Sequence, residues 1–208
     1  MAHEFADLIA AVQGCRRCAS MEGRRRVLSE GNGRPGARVM FVAEAPGRRG
    51  GEVTGVPLSR DASGQRFSRL LAMAGLRREE VFITNAVLCN PRTAEGTNRT
   101  PSRTELANCA GWLEAQLLIV DPPVVVTLGA VALAAMGRIE AHGLTLRADV
   151  GRAVGWRERV LVPLYHPSPR AGLWRRYEEQ DEDFRRLGEM ARVVTTTEAP
   201  SPGPSPTA

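Results

Sequence analysis

The chain has 208 residues, 43% of them hydrophobic, which favours one domain with an ordinary soluble core. It contains no apolar run of 18 residues, and its first ten residues carry Glu4 and Asp7 where a signal peptide carries basic residues; this excludes a helical membrane span and points to the cytoplasm. The net charge of +5 sets 28 basic residues, all of them Arg, against 23 acids. Guanidinium forks suit phosphates and base edges, so a nucleic-acid partner is the favoured reading, beside a codon bias that replaces Lys without consequence.

In chain order, Phe5, Leu8, Ile9 and Val12 form a helical stripe over residues 3–13 that Gly14 stops, and Cys15-Arg-Arg-Cys18 follows at once. Residues 24–36 are basic and turn-rich. Residues 39–43 are an apolar run of buried-strand length, ending at Glu44-Ala45-Pro46-Gly47. Residues 48–55 read as a flexible basic loop that wraps something anionic. Ser63 is expected to cap a helix over residues 64–74, with Gly75 as its stop. A second strand is expected over residues 81–87, running through Asn85 towards Cys89, and residues 90–101 form a loop.

Ser102-Arg-Thr-Glu105 is a capping box for a long helix through Cys109 to Leu117, ended by Asp121-Pro-Pro. Residues 124–128 form a strand without polar alternation, as a sheet covered on both faces requires, and a short helix ends near Gly137. Residues 144–156 are a weaker segment with β character. The last strand, 160–164, leads into Tyr165-His166-Pro167-Ser168-Pro169-Arg170. Residues 175–194 form a charged amphipathic helix. The predicted domain covers residues 1–194, and the Thr, Pro and Ser of residues 195–208 read as a disordered tail. Strands alternating with helices imply an α/β fold: a three-layer αβα sandwich with a central, mostly parallel, four-stranded sheet.

Two features carry chemistry. The four cysteines, Cys15, Cys18, Cys89 and Cys109, suit a zinc site or a [4Fe-4S] cluster; a disulfide is disfavoured in the cytoplasm, and plain buried thiols are the remaining reading. Glu44, Asn85 and His166 lie at the carboxyl ends of three strands of one sheet, where ligands of open α/β sheets bind. A carboxylate to hold a water or a developing cation, an amide to read an edge and an imidazole to stabilise an anion are what cleavage between a sugar and a base requires.

These residues resemble the uracil-DNA glycosylase superfamily, specifically its iron-sulfur branches, families 4 and 5. Ala43-Glu44-Ala45-Pro46-Gly47 resembles the first motif of family 4, and Thr54 to Gly64 matches the spacing after that motif in family 5. Thr84 to Pro91 resembles the Asn-bearing strand and third cluster ligand, Cys109 the fourth ligand, and His166-Pro167-Ser168-Pro169 the second active-site motif; the similarity runs over about residues 10–190. The resemblance implies that Cys15, Cys18, Cys89 and Cys109 hold a [4Fe-4S] cluster. It implies that Glu44 positions the attacking water and stabilises the oxocarbenium sugar, that Asn85 reads uracil and that His166 stabilises the departing anion. The backbone of Ala45, Pro46 and Gly47 would contact the base, Ser168 would grip phosphate, and Arg170 follows where a wedge residue enters the duplex in some relatives.

Two departures stand out. Leu58 occupies the place of a Phe that stacks on the base, and Asn98 stands where a branch that captures its product covalently has His. The resemblance thus implies a monofunctional, monomeric glycosylase acting on uracil in DNA without covalent capture. A glycosylase for another deaminated base such as hypoxanthine, or a non-catalytic DNA-binding module, remain the alternatives.

Overall fold

The computed structural model describes residues 2–197. Five strands form one sheet: β1 (Val39–Ala43), β2 (Val81–Asn85), β3 (Val124–Leu128), β4 (Val154–Trp156) and β5 (Arg159–Leu164). Their order is β2-β1-β3-β5-β4, parallel throughout except for the antiparallel edge pair of β4 with β5. The sheet therefore has one strand more than the four expected. The extra strand lies in the weak segment 144–156, which also holds a one-turn helix over Leu146–Asp149.

The helices are α1 (Ala2–Gln13), α2 (Gly51–Thr54), α3 (Ala62–Met73), α4 (Arg103–Val120), α5 (Ala130–Ile139), α6 (Leu146–Asp149) and α7 (Tyr177–Thr197). Successive strand residues face opposite sides of the sheet, so the same strand feeds two cores. Met40, Val42, Phe82, Val125 and Leu161 pack with Phe5, Leu8 and Val12 of α1, Leu113 and Leu117 of α4 and Leu133 and Met136 of α5. Val39, Phe41, Ile83, Val126 and Val162 pack with Phe67 and Leu70 of α3 and with Phe184 and Leu187 of α7. On this side the rings of Phe41, Phe67 and Phe184 meet pairwise at 5.2, 6.1 and 6.3 Å, joining β1, α3 and α7. The αβα sandwich predicted from sequence is the fold observed.

Several boundaries differ from expectation. β2 stops at Asn85; Ala86 and Val87 still donate to the carbonyls of Ala43 and Glu44 at 2.8 and 3.1 Å, and Cys89 lies beyond the strand. The cap of α3 is Asp61, not Ser63: its Oδ1 accepts from the Gly64 amide at 2.9 Å, and a carboxylate also suits the positive end of a helix. The basic loop 48–55 is not wholly irregular, since α2 forms within it. The helix α7 starts at Tyr177 and carries residues 195–197 of the expected tail; the rest of that tail lies outside the described residues. The capping box of Ser102 and Glu105 and the strand over residues 124–128 are as expected.

Gly188 is what allows α7 to lie on α3. A β-carbon there would overlap the backbone carbonyl of Ala74, the residue that ends α3, and no side-chain rotation relieves a clash with backbone. Gly188→Ala gains about 1 kcal/mol of helix propensity and loses about 1–3 kcal/mol to overpacking. A lower melting temperature is expected, by about 2–4 °C for each kcal/mol of net loss, read by circular dichroism. An unchanged or raised melting temperature would mean that the two helices can separate freely.

Candidate active site

The register of the parallel strands levels their carboxyl ends. Ala43 pairs with Asn85 and Leu128 with Leu164, so Glu44, Asn85, Gly129 and the segment reaching His166 leave the sheet on one rim. A cleft of about 480 Å³ opens there, within the range of small-molecule sites. Every non-cysteine residue singled out from the sequence lines it: Glu44, Ala45, Pro46, Gly47, Leu58, Asn85, His166, Ser168 and Arg170.

Glu44 is half-buried, and desolvation raises its pKa above the usual carboxylate value; a hydrogen bond with Thr100 acts in the opposite sense. Burial moves His166 the other way, down to about 4, against a smaller opposing pull from the negative charge of Asp61. His166 is therefore a neutral imidazole at neutral pH. Asn85 is buried at 2% exposure, and its Nδ2 meets no acceptor within the protein. A buried donor without a partner costs about 1–3 kcal/mol, so this amide is aimed at something that enters the cleft.

The walls are braced. Asn90 Nδ2 donates to the Pro46 carbonyl at 2.6 Å and to Asn98 Oδ1 at 3.0 Å, and Arg48 N donates to the same Asn98 oxygen at 3.2 Å. Asn98 thus lines the cleft as an amide committed to holding the 46–48 turn. Leu58 lines it from a left-handed backbone, φ 46°, with Arg60 at 67° two residues on. Arg78 holds this turn through its guanidinium, donating to the carbonyls of Pro57 at 2.6 Å and Leu58 at 3.3 Å. Such conformations cost about 1–3 kcal/mol each and persist only where surroundings over-determine them. Ser168 and Arg170 sit at the mouth, the latter exposed on a 3₁₀ turn, Pro169–Leu173.

Glu105 is a residue whose larger role the sequence did not disclose. Beyond capping α4 it accepts from both terminal nitrogens of Arg99 at 2.8 and 2.6 Å and from Ser20 Oγ at 2.6 Å, and the Arg99 guanidinium holds its pKa down to about 2. The contact of Thr100 with Glu44 is likewise revealed only by the fold, since contacts across 40 or more residues leave no local signal. Asp61 lines the cleft and acts on His166.

The four cysteines come from separate elements: Cys15 and Cys18 after α1, Cys89 after β2 and Cys109 inside α4. Cys18, Cys89 and Cys109 share one side of the core. The charge of each of Cys15 and Cys18 acts on both Cys89 and Cys109, so the four gather in one corner. Burial pushes the Cys89 thiol up to about 11 and Cys109 up to about 12. Asn108 Nδ2 donates to Cys18 Sγ at 3.3 Å. Among the described residues no three His, Cys, Asp or Glu side chains converge closely enough to hold one metal ion.

Comparison with known proteins agrees with this geometry. A family model described as the uracil DNA glycosylase superfamily matches residues 30–189. The type-4 uracil-DNA glycosylase of Archaeoglobus fulgidus is 32% identical over 88% of this chain and 92% of its own length. The type-4 enzyme of Thermotoga maritima is 35% identical over 79% and 82%. A type-5 uracil-DNA glycosylase of Pyrobaculum aerophilum is 31% identical over 79% and 83%. The chain belongs to the uracil DNA glycosylase superfamily.

Proposed function

We propose that this chain is a uracil-DNA glycosylase of base excision repair, hydrolysing the N-glycosidic bond of uracil in DNA. The observation that carries this reading is the unpartnered Asn85 amide, buried between a desolvated carboxylate and a neutral imidazole. Uracil offers an acceptor at O4 and a donor at N3, so Nδ2 donates to the first while Oδ1 accepts from the second. Cytosine presents the reverse pattern and leaves both groups opposed. The bond is out of reach inside the base stack, so the nucleotide must be extruded into the cleft.

In the reaction, Glu44 holds a water below C1′ and stabilises positive charge on the sugar as the C1′–N1 bond breaks. The electron pair leaves with uracil, and the single N–H of neutral His166 donates to the developing anion. The water oxygen bonds to C1′, its proton passes to Glu44, and an abasic site remains. The backbone of Ala45, Pro46 and Gly47 lies against the base, Leu58 packs on its face, Ser168 grips phosphate, and Arg170, exposed at the mouth, meets the duplex where a wedge residue would enter it. No helix among the described residues is long and apolar enough to cross a membrane. Access to DNA is what the reading requires, and with it we infer a monomer acting in the cytoplasm.

Cys15, Cys18, Cys89 and Cys109 are the ligands we assign to a [4Fe-4S] cluster. The donor set fits: four free thiols, Cys109 buried and the other three half-buried, gathered in one corner from separate elements, suit thiolate ligation of a cluster of several irons. When bound, the cluster supplies a structural cross-link between the N-terminal segment, the loop after β2 and α4. Protein purified without oxygen should be brown, with about four irons per chain. Cys89→Ser should remove the colour and lower the melting temperature of the whole domain. Stoichiometric zinc without iron would refute the assignment.

Glu44→Gln and His166→Ala should each slow single-turnover release of uracil from an oligonucleotide by about 10²-fold or more, with DNA binding retained. Release from the unaltered protein should fall on acidification as Glu44, its pKa raised by burial, takes up a proton, and this limb should vanish in Glu44→Gln. His166, already neutral well below its usual 6.5, adds no loss between neutrality and pH 5. A Glu44→Gln variant that cleaves at the normal rate would transfer the base role to Asp61.

Leu58 offers dispersion contact without a flat face, where stacking on an aromatic ring is worth about 1–3 kcal/mol. Extrusion should therefore limit the enzyme most where the base is well paired. Uracil in single strands or opposite guanine should be released faster than uracil opposite adenine, and Leu58→Phe should raise release several-fold and narrow that gap. Faster release of hypoxanthine than uracil would reassign the pocket to a larger base.

A further inference from the structure

The basic loop between β1 and α3 carries three arginines that the reaction leaves unused. Arg48, Arg49 and Arg60 line, with Val53 and Ala62, a second cleft of about 410 Å³. Asp61 also lines this cleft as well as the active-site pocket and so forms the wall between them.

The availability of these cations is the first argument. Several other guanidinium groups are committed to acids: Arg92 to Glu52, Arg99 to Glu105, Arg157 to Glu140, Arg175 to Asp183. Among the described residues, the side chains of Arg48, Arg49 and Arg60 have neither a hydrogen bond nor an ion pair. Arg49 and Arg60 are exposed and Arg48 is half-buried. The one acid in this cleft is Asp61, whose Oδ1 is already engaged by the Gly64 amide, so the cleft keeps a surplus of positive charge.

Bracing is the second argument. The Arg48–Arg49 turn lies directly on Asp61: a β-carbon at Gly47 or Gly50 would sit 2.5 Å from Asp61 Oδ2, so only glycine lets the turn approach. Arg60 projects from a left-handed backbone held by Arg78 on Pro57 and by Ser59 Oγ, which bonds the Val56 carbonyl at 2.8 Å. Long flexible cations on a strained, cross-linked turn are set in place before a ligand arrives, which lowers the ordering cost of binding.

We propose that this cleft is a second phosphate subsite, which seats a phosphodiester of the DNA backbone next to the extruded nucleotide. The inference rests on the DNA substrate proposed above. Guanidinium forks match phosphate oxygens two at a time, and half-exposed Val53 offers an apolar surface to the adjoining deoxyribose. Holding the backbone immediately outside the pocket favours the extruded state, because the kink that expels the base is fixed by the contact.

The test is the salt dependence of binding to a fluorescent undamaged duplex, read by anisotropy, for the unaltered protein and for R48A/R49A/R60A. Each phosphate contact contributes about 0.9 to the slope of log affinity against log salt, so the triple variant should lose about 2–3 units of slope. The DNA concentration for half-maximal uracil release should rise in step with its dissociation constant. R138A/R147A, two exposed arginines away from this rim, serves as the control and should keep both slope and activity. Should the triple variant fold poorly, Arg49→Glu alone should weaken binding more than Arg49→Ala. A normal slope in the triple variant, or an equal loss per charge in the control, would overturn the subsite. Failure of the unaltered protein to release uracil while the slopes still differ would instead overturn the substrate and leave the cleft as a DNA contact.

Discussion

A sheet sealed on both faces admits almost no polar side chain along its length, and this constraint governs where chemistry can occur. Strands β1, β2 and β3 are buried at every position, and β1 and β3 have a hydrogen-bonded neighbour on each side. Groups that must meet water and substrate are therefore pushed to the strand ends. The parallel register then brings the carboxyl ends of the parallel strands together, so one carboxylate, one amide and one imidazole drawn from a span of more than a hundred residues arrive on one rim. The Phe41, Phe67 and Phe184 cluster and the Gly188 contact matter to the site because they fix the layer that carries Asp61 at the head of α3.

The same desolvation acts on Glu44 and His166 in opposite directions. It penalises whichever form is charged, so it raises the acid and lowers the base. A carboxylate that gives up water's solvation is ready to stabilise a cation forming above it, and an imidazole kept neutral donates a hydrogen bond without neutralising the carboxylate across the cleft. Stability follows the same shift. Unfolded His166 titrates near 6.5 and folded near 4, so on acidification the unfolded chain takes the proton first and the folded state loses stability between those values. Glu105 is the contrast: paired with Arg99, it stays charged to about 2 and holds the architecture rather than the substrate.

Much of this was legible in the sequence, for identifiable reasons. Strand runs such as Val124–Leu128 announce themselves because both faces are apolar, and the Ser102–Glu105 box because a cap is a local hydrogen bond. Glu44, Asn85 and His166 were legible because they end such runs. What failed was local competition or distant contact. Ser63 looked like the cap of α3, but Asp61 two residues earlier is the better acceptor. β4 is three residues long and is stabilised by pairing with β5 rather than by its own pattern. The left-handed turn at Leu58 and Arg60 carries no glycine, so nothing in the residues themselves announces it; Arg78, about twenty residues on, imposes it.

A chain of contacts links the cysteine corner to Glu44. Ser20, two residues after Cys18, donates to Glu105; Glu105, one helical turn before Cys109, receives Arg99; and the adjoining Thr100 acts on Glu44. The links from Ser20 and Arg99 are short, 2.6 to 2.8 Å, and at their centre is a carboxylate that is 4% exposed and four times bonded, so breaking one of them strands a buried charge rather than a solvated one. The cluster proposed on the four thiols would therefore do more than tie the N-terminal segment to α4. It would keep Ser20 within reach of Glu105, and with it Arg99 and Thr100 in register at the lip of the cleft. The setting of Glu44 thus depends on contacts at the cysteine corner, and this is a physical reason for a structural cross-link to be placed there.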